Sequence, residues 1–120
     1  MSRDLTEAYF KAVDSRDAAA VAGFFAADGR MTFGNNEPLV GPAAVEQVIA
    51  GVFAAVAGIE HRILRDWYPG DDTLTEADVT FTKHDGSQVT VPAAVHWHAT
   101  PNGKIDDMRV YIDLAPVFAP

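Results

Sequence analysis

Two pairs of ionisable residues in the second half of the chain have types and spacing suited to acid–base chemistry. Glu76 and Asp78 alternate along one apolar segment, and His96 and His98 alternate along the next. Alternation by two places each pair on a single face of a β-strand. A carboxylate beside an imidazole can exchange protons near neutral pH, because each group influences the protonation of the other. The sequence therefore predicts a catalytic pair, with Asp78 as general base and His96 as its partner or acid.

The same residues allow other interpretations. Two histidines on one face resemble a pair of metal ligands, to which Asp78 or Glu76 could add a carboxylate. The metal motif of cupin-type barrels needs a further glutamate and histidine downstream, and the sequence has neither. We therefore predict no cofactor. A non-catalytic ligand-binding domain is the second hypothesis, and a histidine-based metal site is the third.

Length and composition limit the class of protein. The 120 residues are 48% hydrophobic and carry a formal net charge of −8. We therefore expect a single domain spanning residues 1–120 that binds neither nucleic acid nor a membrane surface. Because the sequence contains no cysteine, disulfides, thiolate catalysis and cysteine-ligated metals are excluded. A polar N-terminus and the lack of a long apolar segment favour a cytoplasmic location.

Apolar residues spaced three and four apart predict three helices in the first half of the sequence. We expect these helices to form one side of the site. The first begins at a capping box formed by Asp4 and Glu7. The second begins at Asp17 and stops at residues 28–29. The third opens at residues 41–42, with proline in its first turn, and ends at residue 58.

Strands are predicted where the apolar period changes to two. A short strand at residues 30–34 precedes the third helix, and an antiparallel meander follows it, at residues 59–68, 73–83, 87–100 and 104–114. Two connections, residues 84–86 and 101–103, place glycine third, which is typical of a three-residue hairpin loop. The predicted fold is an α+β cone, with three N-terminal helices packed on a curved antiparallel sheet.

The two loops also predict which side chains share a face of the sheet. The first sets Asp78 opposite Pro92, and the second sets His96 opposite Met108. On this register the even-numbered residues form one face, whose mixture of apolar and ionisable groups predicts a small-molecule pocket. The odd-numbered face also carries apolar residues. We therefore expect the outer face of the sheet to be covered by a second copy of the chain in a homodimer.

Two stretches of the sequence resemble a known family. Residues 33–38 leading into 41–47, and residues 102–105 followed by 108–114, are similar to limonene epoxide hydrolases. These belong to the nuclear-transport-factor-2-like group, with the SnoaL-like polyketide cyclases and the ketosteroid isomerases. The resemblance implies a cystatin-like α+β roll and cofactor-independent isomerase, cyclase or hydrolase chemistry. It also implies a small, apolar, oxygenated substrate such as a terpenoid, polyketide or steroid-like compound.

The resemblance to the hydrolases is incomplete at the site. Asp78 falls on the first catalytic aspartate and Asn35 on the water-holding asparagine, whereas Glu76 replaces an arginine and Phe33 a tyrosine. The second aspartate is Val110 here, and a general-base site without its carboxylate cannot run the same reaction. Epoxide hydrolysis of that type is therefore not expected.

The remaining predicted contacts belong to the pocket that would hold the substrate. Asn35 and His98 are expected to supply polar groups to it. The other residues predicted to line it are Glu76, Phe33, Tyr9, Trp67, Met108, Val110 and Ile112.

Overall fold

Helices pack on a curved six-stranded sheet in the computed structural model, which describes residues 3–119. The helices are α1 (Arg3–Asp14), α2 (Ala18–Ala22), α3 (Pro42–Ala54) and α4 (Ala115–Phe118). The strands are β1 (Phe25–Phe33), β2 (Leu39–Val40), β3 (Gly58–Trp67), β4 (Asp72–Thr82), β5 (Gln88–Ala99) and β6 (Ile105–Ile112), arranged in the order β2-β1-β6-β5-β4-β3. The predicted α+β fold class is confirmed. Within the described range, no helix is long and apolar enough to cross a membrane.

Local signals explain where the helices begin. The Asp17 side chain accepts a hydrogen bond from the backbone N–H of Ala20 at 3.0 Å, so the predicted start of α2 is confirmed. Pro42 begins α3 as predicted. Proline lacks a backbone N–H, and an N–H in the first turn of a helix would have no acceptor within the helix. α1 already includes Arg3, so Asp4 lies inside its first turn instead of capping it.

The second helix and the first strand differ from the prediction. α2 ends at Ala22, and the strand predicted at residues 30–34 begins at Phe25. Phe25 is buried and pairs with Ile105, and β1 runs parallel to β6. Tertiary pairing therefore stabilises extended backbone where local apolar spacing alone favours a helix. The sheet is mixed rather than wholly antiparallel, and neither β2 nor α4 was predicted.

Both predicted three-residue hairpin loops are confirmed. The backbone N–H of Lys83 donates to the carbonyl of Ser87 at 2.8 Å, and that of Thr100 donates to the carbonyl of Lys104 at 2.7 Å. The third residue of each loop is a glycine with a φ of 89° in the first loop and 81° in the second. Side chains rarely adopt this left-handed conformation, so the glycines fit the turns.

A β-bulge in β6 changes the register beyond the second loop. Ala99 pairs with Ile105, but the preceding His98 pairs with Asp107, so Asp106 is an extra residue on this strand. Because side chains alternate with a period of two, one extra residue moves every later side chain to the other face.

The bulge separates residues that were predicted to share a pocket. The register of β4 on β5 is as predicted, with Asp78 opposite Pro92, but His96 lies opposite Arg109, so its predicted pairing with Met108 is wrong. We call the face toward the helices the inner face. Its members include Val79, Phe81, Val95, Trp97, Met108, Val110 and Ile112. The opposite, outer face includes Glu76, Asp78, His96, His98, Arg109 and Tyr111.

Gly29 lies at the irregular part of β1, where space for a side chain is lacking. A Cβ added there would lie 2.6 Å from the carbonyl oxygen of Ile105 and 3.0 Å from that of Ala26. We expect Gly29→Ala to lower the free energy of unfolding by about 1–3 kcal/mol, measured by urea denaturation. Gly51→Ala is the control, since nothing lies within 4 Å of that position in α3. It should be neutral or stabilising by up to ~1 kcal/mol, and equal losses in both variants would contradict the steric argument.

Candidate functional site

A cavity of about 60 Å³ lies between the helices and the inner face of the sheet. Its walls are almost entirely aliphatic and aromatic. Among the side chains that line it are Phe10, Phe33, Phe53, Phe81, Val110 and Ile112. Two lining side chains carry polar atoms that can take part in chemistry, His61 and Tyr9. Such a combination of apolar walls and few polar groups is typical of small-molecule sites.

His61 is held by a carboxylate at the end of the first helix. Its Nδ1 lies 2.6 Å from Asp14 Oδ1, and its backbone N–H donates to Asp14 Oδ2 at 3.0 Å. The imidazole also stacks on the ring of Phe10, with centroids 4.6 Å apart. Two hydrogen bonds and one stacked ring therefore fix the position of this side chain, of which only 10% is exposed.

The hydrogen bonds to Asp14 define what His61 offers to the cavity. An ionised carboxylate only accepts hydrogen bonds, so Nδ1 carries the proton in the neutral imidazole. Nε2 then has a free lone pair, and no hydrogen bond to it is seen among residues 3–119. His61 lines the apolar cavity and also borders a surface pocket with Arg3 and Asp14, so its ring lies between the two.

Tyr9 supplies the second polar group. Its hydroxyl donates to Met108 Sδ at 3.3 Å, and a thioether is a weak acceptor. Burial raises the pKa of Tyr9 far above its ordinary value, so the hydroxyl stays protonated. The hydroxyl is therefore a permanent hydrogen-bond donor, which in this structure is directed at Met108.

Several residues predicted from the sequence lie at this cavity. Tyr9, Phe33, Val110 and Ile112 line it, and Met108 is fully buried beside the Tyr9 hydroxyl. Whether they contact a substrate stays a prediction.

The predicted catalytic pair lies elsewhere. Asp78 accepts a hydrogen bond from Arg62 at 3.0 Å, and His96 Nε2 lies 3.2 Å from Asp72 Oδ1. Both side chains are on the outer face, so their predicted place in the pocket is corrected. The physical reason is the bulge at Asp106, which brings different residues of β6 to the inner face.

The other predicted polar residues also lie outside the cavity. Glu76 is 3.9 Å from Arg65, and His98 Nδ1 is 2.7 Å from Asp106 Oδ1, both on the outer side of the sheet. Both residues alternate with the apolar residues of β4 and β5 that pack against the helices, so they lie on the face opposite the cavity. No group of three or more His, Cys, Asp and Glu side chains in residues 3–119 is placed to hold a metal ion.

Asn35 and Trp67 lie outside the cavity for separate reasons. Asn35 is exposed in the turn after β1, beside Tyr111. A bulge in β3, between residues 63 and 65, turns Trp67 to the outer face opposite Leu74. Trp67 is accordingly 45% exposed.

Sequence reasoning missed both members of the Asp14–His61 pair. They are 47 residues apart, so no local spacing connects them. One signal was present: His61 stands between Ile59 and Ile63 on the apolar face of a strand. An ionisable side chain in that position needs a buried partner, but the alternation does not say which residue supplies it.

A curved sheet with helices against its inner face and an apolar cavity between them is the nuclear-transport-factor-2-like cone fold. Residues 6–108 match the SnoaL-like domain, and the chain belongs to this family. No curated protein gives a significant match to the sequence.

Solved structures share the fold over nearly the whole chain. A hypothetical protein from Catenulispora acidiphila with a ketosteroid isomerase-like fold, in complex with trimethylamine, is 21% identical with a TM-score of 0.86, covering 99% of this chain and 92% of that one. A putative SnoaL-like polyketide cyclase from Jannaschia sp. is 20% identical with a TM-score of 0.76, covering 96% and 92%. An LEH-like epoxide hydrolase from M. tuberculosis is 20% identical with a TM-score of 0.77, covering 94% and 83%. At these identities the likeness shows the fold alone.

The hydrogen bond between His98 and Asp106 has a measurable consequence. It raises the pKa of His98 above its ordinary value of about 6.5, and we expect Asp106→Asn to lower it. Since the folded-state pKa is the higher one, the stabilisation is present below the unfolded pKa and is lost as pH rises through the folded pKa. An NMR titration of the His98 Cε1–H measures the shift. Asp107→Asn is the control, because that carboxylate faces Arg109; an equal change there would contradict the assignment.

Proposed function

We propose that this protein is an enzyme that moves a proton within a small, apolar, oxygenated compound bound in the cavity. His61 is the base that takes the proton and the acid that returns it, and Asp14 orients and stabilises the imidazole. The observation that carries the proposal is the 2.6 Å contact between His61 Nδ1 and Asp14 Oδ1, with the ring lining an apolar cavity. The chemistry needs no cofactor.

The proton transfer can be written for a ketone as the simplest oxygenated compound. His61 Nε2 removes a proton from the carbon beside the carbonyl, and the C–H electron pair forms the carbon–carbon double bond of an enolate. The negative charge develops on oxygen, and the imidazolium later returns the proton to carbon. Asp14 favours the charged intermediate because its carboxylate holds the proton on Nδ1.

Tyr9 is placed to stabilise the oxygen of such an intermediate. Its buried hydroxyl keeps its proton, and the Met108 sulfur that now accepts it is easily exchanged for a better acceptor. A donor directed at a developing oxyanion in a water-poor site contributes strongly to rate. Tyr9 is therefore the proposed oxyanion donor.

The cavity limits the size of the ligand. Its volume of about 60 Å³ is far below the ~300–1,000 Å³ of sites for drug-sized molecules. A compound of a few non-hydrogen atoms fits this space. The complex of the Catenulispora protein with trimethylamine supports a ligand of this size, and the names cyclase and epoxide hydrolase among the similar structures support acid–base chemistry.

Exchange of ketone protons for deuterium tests the proposed base without knowledge of the natural substrate. In D₂O, we expect the protein to accelerate exchange at the carbons beside the carbonyl of butanone, followed by NMR. His61→Asn should lower the rate by ~10²-fold or more, since it removes the general base. Asp14→Asn should lower it less, because the imidazole remains but loses its orienting partner.

His96→Asn is the matched control, because His96 is a histidine paired with an aspartate on the outer face. It should leave the exchange rate unchanged. A loss in His96→Asn with none in His61→Asn would restore the pair predicted from the sequence. Saturable binding of butanone without any exchange would favour the alternative, a non-catalytic binding domain.

We also propose that the outer face packs against a second copy of the chain. Trp67, Leu74 and Tyr111 lie on this face and are 45%, 38% and 58% exposed. Large apolar side chains grouped on one face of a sheet are typical of an interface, and a face that meets itself gives a closed dimer.

Sedimentation velocity tests the dimer. Tyr111→Lys places a charge on the proposed interface, and we expect it to convert a dimer to a monomer. Val48→Lys is the control, because Val48 is an exposed apolar residue on α3 rather than on the sheet. A monomer in the unsubstituted protein would overturn the proposal.

A further inference from the structure

Three polar side-chain atoms are buried together on the inner face without a partner. Thr73 Oγ1, Thr75 Oγ1 and Trp97 Nε1 make no hydrogen bond within residues 3–119. The three residues are 0%, 1% and 1% exposed. Buried polar atoms in proteins nearly always have a partner, because an unpaired one has lost its water without compensation. Three such atoms in one region therefore indicate a bound group.

The sheet register brings these atoms to one place. Thr73 lies directly opposite Trp97, and Thr75 follows two residues later on the same face of β4. Directly opposite side chains have Cβ atoms ~4.5–5.5 Å apart. A single small group between them can therefore meet the indole N–H and a threonine hydroxyl at the same time.

The donor set specifies the chemistry of the group. The indole N–H only donates, and each hydroxyl donates or accepts, so an oxygen atom with lone pairs is the matching partner. Asp66 is opposite Thr75 on β3, and its carboxylate is bound by Arg3 at 3.1 Å and by the Tyr68 hydroxyl. Because Arg3 already neutralises Asp66 and the three groups of the patch carry no charge, a neutral oxygen is the matching partner.

The position next to the cavity indicates what can reach this oxygen site. The ring of Tyr9, which lines the cavity, has its centroid 5.3 Å from that of Trp97. Val95, opposite Thr75, also lines the cavity. The polar patch therefore lies on the inner face next to two residues that line the cavity.

We propose that Trp97, Thr73 and Thr75 form a hydrogen-bonding subsite for one neutral oxygen, either of a buried water molecule or of a ligand carbonyl or hydroxyl. This inference goes beyond the proposed proton transfer and requires neither His61 nor Asp14. It adds a site that recognises an oxygen at the end of the cavity beyond Tyr9.

Unfolding in urea gives the first test. Removing a hydroxyl that binds an oxygen lowers the unfolding midpoint, whereas removing a buried hydroxyl that has no partner raises it. Thr73→Val and Thr75→Val keep nearly the same side-chain volume, and each should lower the unfolding midpoint. The double variant should lower it by less than the sum, because both hydroxyls hold the same oxygen. Thr32→Val, on the outer face of β1, controls for loss of a threonine hydroxyl from a strand. Variants that raise the midpoint additively would overturn the subsite, since removing an orphaned polar atom relieves its desolvation.

NMR gives the second test and distinguishes the two sources of the oxygen. The sequence has two tryptophans, and exposed Trp67 is the internal control for Trp97. We expect the Trp97 indole N–H to show a cross-peak to long-lived water in the free protein, which identifies water as the source. Replacement of that peak by one to butanone, at saturating butanone, identifies a ligand oxygen. Absence of both peaks would overturn the subsite, and because the free-protein experiment uses no ligand, its result does not depend on the exchange assay.

Discussion

The β-bulge at Asp106 is the constraint on which the composition of the cavity depends. Before it, the last hairpin follows simple pairing; after it, Met108, Val110 and Ile112 face the helices. The extra residue also makes a contact of its own, because the Asp106 side chain binds His98 on the outer face. One inserted residue thus brings the apolar residues of β6 to the same face as the apolar residues of β4 and β5, opposite the charged residues of those two strands.

The contact between Asp14 and His61 is a polar contact at this apolar cavity wall. It joins the C-terminal end of α1 to β3, and it fixes one imidazole at the boundary of a space with few other polar atoms. Hydrogen bonds are stronger where water is scarce, and unpaired polar atoms there are correspondingly costly. The contact with Asp14 therefore holds this histidine in place, and it is the basis of the role proposed for His61.

The two faces of the sheet carry different groups of side chains. On the inner face, Tyr9 lines the cavity and its ring also contacts Trp97, which belongs to the polar patch. The outer face carries ion pairs such as Arg62 with Asp78, and also exposed apolar side chains such as Tyr111. The proposed ligand site and the proposed dimer contact therefore use opposite faces of the same strands.

The sequence by itself determined the helix starts at Asp17 and Pro42, the two hairpin loops and the α+β class, because caps, proline and glycine act through neighbouring residues. Only the tertiary structure decided the rest. Phe25 joins β1 because Ile105 pairs with it. The apolar alternation of β6 breaks between Ile105 and Met108, but only the pairing with β5 decides which face the later residues take. The meeting of Asp14 with His61 likewise depends on how α1 packs against β3. Local patterns specify local geometry, whereas a site made from distant residues depends on packing that no short segment contains.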